Sequence, residues 1–407
     1  MNPARFLDRN TPPHILTLVS IAGVSALTMN IFLPSLPAMA RYFHTDYAVM
    51  QLALSGYLAG TAVIQLVIGP LSDLLGRRPV MLSCLVLMLI GTLICALAPN
   101  ITVFMIGRVL QTATVAGFVL ARAIVRDMVP MEKAASMIGY VTMGTSMVPM
   151  VGPTIGGLLN ELFGWQSNFA LLFGLAAAAL ALAFADLGET NRQKAPSFTA
   201  HFHAWPELFR SGHFWAYTLT ATFSSGVFFC FLGGAPYVGS ILYALTPSQL
   251  GLLFFFCSAG YVFGNFLSGR YAGRFGTSAM MISGSVVTLS GIVLAMLLIM
   301  MGADTPLAFF GPLSLVGIGN GLSLPSANAG IVSVKPHLAG SASGVGGAIT
   351  IGGGAALSVL AGAVLSEDTG TLPLLSVMFA CALLALAATL FERSASQTQA
   401  LSPEGRP

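Results

Sequence analysis

Charged side chains are scarce in this chain. Of its 407 residues only 8% are Asp, Glu, Lys or Arg, whereas a soluble domain uses roughly 25% to cover its surface. A water-soluble globule is therefore excluded, and with 56% hydrophobic residues and a mean hydropathy of +0.84 the solvent is a bilayer. The five cysteines (Cys84, Cys95, Cys230, Cys257, Cys381) lie in apolar runs without CxxC spacing, which argues against disulfides and thiolate metal sites. The six histidines sit at termini or between the runs, also without ligand spacing, so no metal is expected. The glycines of 340–354 are followed by no Gly-Lys-Ser/Thr, so they read as packing surface and no cofactor is expected. A net charge of +3 gives no basis for binding nucleic acid.

What the chain has is a series of long apolar runs. A helix needs about 20 apolar residues to cross a bilayer. On that measure there are twelve spans, near 15–38, 49–71, 79–98, 102–124, 134–158, 166–187, 213–237, 248–269, 278–301, 306–328, 340–365 and 371–391. Arg5 and Arg9 before the first run, and Ala38-Met39-Ala40 after it, imitate a secretory leader. The run from about Ile15 to Leu36 is too long for a leader core and is expected to be the first span. The polar stretch 188–212 reads as a cytoplasmic linker between six-span halves, 1–187 and 213–407, the latter ending in a short tail.

With both termini inside, Arg41 alone falls in an outer loop and Arg108 falls within a span. The other fifteen of the seventeen basic residues lie at cytoplasmic positions, as expected where basic residues resist translocation. The turn Gly69-Pro-Leu-Ser-Asp73-Leu-Leu-Gly76-Arg77-Arg78-Pro79 holds three charges, with Asp73 placed to partner the arginines. Leu267-Ser-Gly-Arg270-Tyr-Ala-Gly273-Arg274 repeats it weakly in the second half, aligning Gly273 with Gly76, as a duplicated unit would.

Arg108 is the one formal charge well inside a span, six residues or roughly 9 Å from Thr102. It either faces a cavity or snorkels outward, and Gln111 shares its helical face. Asn30 lies at a similar depth beside Pro34 and Pro37, which free backbone carbonyls. Tyr57, Phe228, Phe231 and Asn320 complete the expected substrate-contacting set. In the fifth span Gly139, Pro149, Gly152, Pro153 and Gly156 combine close helix approach with bends. Asp73 and Asp127 are the acids nearest the inner span ends, and no carboxylate is expected deeper.

The turn Gly69–Arg78, Arg108-x-x-Gln111 and the glycine–proline series resemble motifs of the major facilitator superfamily. Phe32-Leu-Pro-Ser-Leu-Pro37, Leu120-Ala-Arg122-Ala-Ile-Val-Arg126-Asp127 and Phe163-Gly-Trp165 narrow the resemblance to the Bcr/CflA branch of drug:proton antiporters. It implies an all-α membrane protein of 12 transmembrane helices in two six-helix bundles, working by alternating access at the bacterial inner membrane. Asp73, Arg77 and Arg78 would form a cytoplasmic latch, with Arg122 and Asp127 in the same gating region. Arg108 and Gln111 would border the cavity, and the fifth-span motif would be the bending seam. Three positions depart from the branch: Asn30 stands where an Asp is usual, Thr112 follows Gln111 in place of Gly, and Val148 replaces a fifth-span Gly. An Asn cannot carry a proton, so coupling is the feature these departures bear on most.

The expected activity is export of small lipophilic neutral or zwitterionic drugs by a monomer. The alternative is a carrier for one anionic or polar metabolite with Arg108 as counter-charge. An enzyme would need clustered buried His, Asp or Glu, and a channel a polar ring.

Overall fold

The computed structural model describes residues 6–128, 148–191, 205–303, 305–335, 338–366 and 368–401. Among these residues all regular structure is helical, as a bilayer requires of an unclosed backbone. Eleven described helical stretches are long and apolar enough to cross a membrane. The expected span 134–158 lies partly outside the described residues, including Gly139, and its remainder belongs to the helix Val148–Phe163.

The chain divides into two compact units. The first comprises Met1–Ala200 with Leu245–Leu252. Its helices are α1 (Ile15–Asn30), α2 (Leu36–Tyr42), α3 (Tyr47–Leu75), α4 (Arg77–Ala96), α5 (Ile101–Gln111), α6 (Val115–Met128), α7 (Val148–Phe163) and α8 (Gln166–Asp186). Pro34 and Pro37 break the first span, so that a short 3-10 turn, Leu33–Ser35, separates α1 from α2. A second such turn, Thr112–Thr114, interrupts the span made by α5 and α6.

Leu18, Ile21 and Ala22 of α1, Met81, Leu85 and Met88 of α4, Leu120 and Ile124 of α6, and Leu172 and Ala176 of α8 form one buried core. At one end of this unit Trp165 packs edge-on against Phe104 and Phe169, with Phe43 tilted beside them. Lipid offers no hydrophobic drive between helices, so shape decides how closely they pack. Gly156 shows this: a Cβ there would collide with the backbone carbonyl of Ile31, where α1 ends.

The second unit comprises His201–Ala244 and Leu253–Pro407. It holds α9 (Trp205–Phe209), α10 (Gly212–Tyr237), most of α11 (Pro247–Phe275), α12 (Thr277–Met300), α13 (Pro306–Phe310), α14 (Leu313–Ser333), α15 (Ala339–Ala363) and α16 (Leu372–Leu401). The helix α9 falls inside the stretch read as linker, with Leu208 buried. α10 runs on into a π-helical turn, Val238–Leu242.

The two units repeat one junction. α3 stops at Leu75 and α4 starts at Arg77; α11 stops at Phe275 and α12 starts at Thr277. The single residues between, Gly76 (φ 113°, ψ 153°) and Gly276 (φ 83°, ψ 165°), occupy a backbone region open only to glycine. The repeat expected from sequence is therefore present, with its register corrected from Gly273 to Gly276. Gly273 lies within α11.

Candidate functional site

Arg108 does not snorkel. It is 1% exposed, and its guanidinium lies between two rings, 4.4 Å from the centroids of both Phe32 and Tyr57. Its Nε donates to the carbonyl of Ala53 at 2.9 Å, and its Nη1 donates to Gln111 Oε1 at 2.6 Å and to the carbonyl of Thr28 at 3.2 Å. Gln111 Nε2 donates in turn to Thr92 Oγ1 at 2.8 Å, and the Tyr57 hydroxyl is 2.6 Å from Thr114 Oγ1. These bonds use the i, i+3 face anticipated for Arg108 and Gln111.

Every group holding the cation is neutral, and Nη2 is buried without a partner. Amide carbonyls and ring faces stabilise a desolvated guanidinium, each ring by about 2 kcal/mol, without cancelling its charge. The surroundings of Arg108 thus leave its positive charge uncancelled.

Asn30 is fully buried at the end of α1. Its Nδ2 donates to the carbonyl of Ala26 at 3.0 Å, while Oδ1 has no partner. Gly152 and Gly156 of α7 bring that helix onto Asn30 and Ile31, and Pro153 lies inside the same helix. Pro149 belongs to α7 too, but its side chain is outside the described residues. A Cβ added at Gly23 would come into ordinary contact with Val148 Cγ2. Thr112 has its methyl group against Gly60 of α3, so there the glycine of the close approach sits on the neighbouring helix.

The turn at Gly76 carries a second charge cluster. Arg77 is 7% exposed. Its Nη1 meets Asp73 Oδ1 and Ser72 Oγ, both at 2.5 Å, and its Nε meets Asp127 Oδ2 of α6 at 3.0 Å. Arg78 does not share Asp73, contrary to expectation. It turns the other way, resting over the Phe184 ring and donating through Nη2 to that residue's carbonyl at 3.1 Å. Arg122, on the same helix as Asp127, is exposed.

Sequence reasoning missed Glu189, whose carboxylate accepts the backbone N–H groups of Arg77 (2.9 Å) and Arg78 (3.2 Å). An anion there satisfies orphan donors and the positive helix end together. Thr190 reaches Asp127 at 3.2 Å and Asn191 reaches the Asp73 carbonyl at 2.9 Å, so the residues following α8 close the cluster.

Two fully buried carboxylates correct the expectation that Asp73 and Asp127 are the acids nearest the inner span ends, with none deeper. Asp186 ends α8 and accepts from the backbone of Leu7 (2.7 Å) and His14 (2.8 Å) and from the Thr17 hydroxyl (2.5 Å). Glu392 in α16 accepts from the Tyr217 hydroxyl at 2.8 Å and from Ser278 Oγ at 2.6 Å. Each is the acid closing the last span of its half, a cue that hydropathy alone assigns to a loop.

In the second unit Phe231 is fully buried against Phe254 (5.1 Å) and Phe310 (6.1 Å). Phe228 is half-buried and stacks on Tyr261 at 6.3 Å. Asn320, in the middle of α14, is 1% exposed with both ends of its amide unpartnered. Buried amides are rarely left so, and one such group marks a place where a ligand can complete the bonding. Among the described residues no cluster of three His, Cys, Asp or Glu has metal-binding geometry.

Comparison with known proteins agrees with this architecture. The family model described as Major Facilitator Superfamily matches residues 18–358 and again 240–406. An uncharacterized MFS-type transporter of Bacillus subtilis (strain 168) is 30% identical over 93% of this chain and 94% of its own. A chloramphenicol resistance protein of Pseudomonas aeruginosa is 31% identical over 81% of this chain and 79% of its own. A D-xylose-proton symporter structure superposes with a TM-score of 0.76 at 13% identity, covering 93% of this chain and 96% of that one; this likeness concerns the fold. The chain belongs to the Major Facilitator Superfamily, and is a multi-pass membrane transporter rather than an enzyme.

Proposed function

We propose that the protein exports small lipophilic neutral or zwitterionic compounds, phenicol- or bicyclomycin-like, across a bacterial inner membrane by alternating access. The observation that carries this reading is the Arg108 site, a desolvated cation walled by Phe32 and Tyr57 and answered only by neutral acceptors. Aromatic walls suit a lipophilic guest, and the uncancelled charge selects against cations. The relative named for chloramphenicol resistance supports the same class of cargo. Asn30, Gln111, Phe228, Phe231 and Asn320 are the remaining substrate contacts, and both termini lie in the cytoplasm as the basic residues suggest. The protein works as a monomer.

The Arg77 cluster is the latch, with Asp73 and Asp127 as its two acids. Protonating either one removes half of the charge holding Arg77, which links a proton to opening. Any proton antiport therefore runs through this cluster and not through position 30, or coupling is absent. In proteoliposomes an imposed pH gradient is expected to drive transport in the native protein and to lose its effect in Asp73→Asn or Asp127→Asn. Gradient-driven transport that persists in both variants rejects this route.

The direct test of cargo is susceptibility of an expressing strain to phenicols and bicyclomycin. At least a fourfold rise in inhibitory concentration for one of them is expected, and abolished by Arg108→Ala. A second reading rests on the unpartnered Arg108 Nη2, which could meet an anionic metabolite. No change in susceptibility, with Arg108-dependent uptake of an organic anion, favours that carrier.

A further inference from the structure

The second unit holds a cavity of about 760 Å³ that the transport pathway proposed above does not use. It opens where α9 meets the start of α10 and the end of α14, and Arg210, His213 and Lys335 line it. Glu207, Ser211, Ser333 and Tyr217 line it as well. Lys335 Nζ pairs with Glu207 at 3.1 Å. Among the described residues the side chains of Arg210 and His213 have no hydrogen-bond or ionic partner, and the Tyr217 hydroxyl is turned away toward Glu392. The cavity thus presents more positive charge than its one acid balances. With Lys335 taken by Glu207, Arg210 is the cation left over among the described residues that line the cavity, and an anion would balance it.

The surroundings say where that anion comes from. Phe209 stacks on Trp215 at 5.7 Å, and Trp215 Nε1 donates to the Phe209 carbonyl at 2.8 Å. Trp205 packs edge-on against the same Phe209. Phe209, Trp215 and Val332 remain exposed beside the cavity. Tryptophans with an apolar body and a polar tip collect at the level of lipid headgroups. A cavity lined by arginine, lysine and histidine at that level, next to exposed apolar side chains, has the chemistry of a phospholipid site. We propose that this cavity binds the phosphate of an anionic phospholipid, with Arg210 and Lys335 on the phosphate oxygens and acyl chains along Phe209 and Val332.

Native mass spectrometry of the full chain, released from detergent with added lipid, tests this directly. Phosphatidylglycerol is expected to remain bound and phosphatidylcholine to be lost. The double variant Arg210→Gln/Lys335→Gln should bind phosphatidylglycerol about tenfold or more weakly, while the charge-keeping Arg210→Lys/Lys335→Arg should retain it. Inorganic phosphate at millimolar concentration should compete poorly. Equal retention of both lipids, or undiminished binding by the Gln variant, overturns the proposal. Phosphate that competes as well as the lipid overturns the lipid assignment and makes this a site for a soluble phosphate. Loss of binding in the charge-keeping variant as well as in the Gln variant also counts against it. Because the readout is bound lipid, it is separable from failure of the export reading, which is scored by drug susceptibility.

Discussion

The junctions at Gly76 and Gly276 have the same backbone and different chemistry. Both end a 29-residue helix, at Leu75 and Phe275, and both start the next helix after one glycine. At the first, Arg77 is sunk among Asp73, Ser72 and Asp127, and Glu189 caps the new helix. At the second, Arg270 and Arg274 are exposed. Arg274 lies over the neighbouring Phe275 ring, and among the described residues neither arginine meets a carboxylate. The turn itself is therefore what the fold needs in each half. The charge network is an addition confined to one of them, which is why it reads as machinery and not as scaffolding.

The largest expected effect tests what the junctions share. Gly76→Ala and Gly276→Ala each force a side chain into a glycine-only conformation, at about 1–3 kcal/mol. Both should lower the melting temperature in detergent, and Gly76→Ala more, because its Cβ would also displace the Glu189 carboxylate, whereas nothing lies near Gly276. A neutral Gly276→Ala would break the equivalence.

Next comes the contrast. Arg77→Ala leaves two carboxylates, each about a quarter exposed, without their cation. Breaking a fully buried pair costs about 3–5 kcal/mol; solvent screening reduces this to about 1–2 kcal/mol. A transport rate at least about tenfold lower is expected, against less than about twofold for Arg274→Ala. Equal losses would show that the second turn has a charge role of its own.

The smallest effect sharpens the comparison. Glu189→Gln keeps the shape of the cap but removes its charge, at about 0.5–1 kcal/mol. A modest drop in thermal stability, with the Asp73–Arg77 pair still competent in transport assays, is the expected result. Complete loss of transport would place Glu189 inside the latch rather than beneath it.

What could be read in the sequence was what lies close along the chain. Asp73 and Arg77 lie four residues apart across the Gly76 turn and Arg108 and Gln111 three apart on one helix, so spacing alone paired them, and the scarcity of charge made each one conspicuous. Spans followed from hydropathy for the same reason. The roles of Asp186 and Glu392 stayed hidden, because their donors, Thr17 and Tyr217, are 169 and 175 residues away. A carboxylate at the end of an apolar run also looks like a loop residue until a partner is seen. The register of the second turn was misread because Gly273-Arg274 copies the residue types of Gly76-Arg77, whereas helix length fixes the break at Gly276.

The hold of Glu189, Thr190 and Asn191 on the Gly76 turn also bears on dividing this protein into separately expressed halves. Hydropathy invites a cut just after Leu187, where the last apolar run of the first half stops. A fragment ending there would keep every span yet expose the start of α4 as uncapped N–H groups beside two arginines. Placing the cut beyond Asn191 gives that fragment its own closure, at the cost of only a few polar residues. The closing contacts of that fragment thus lie downstream of Leu187, the end of its last apolar run.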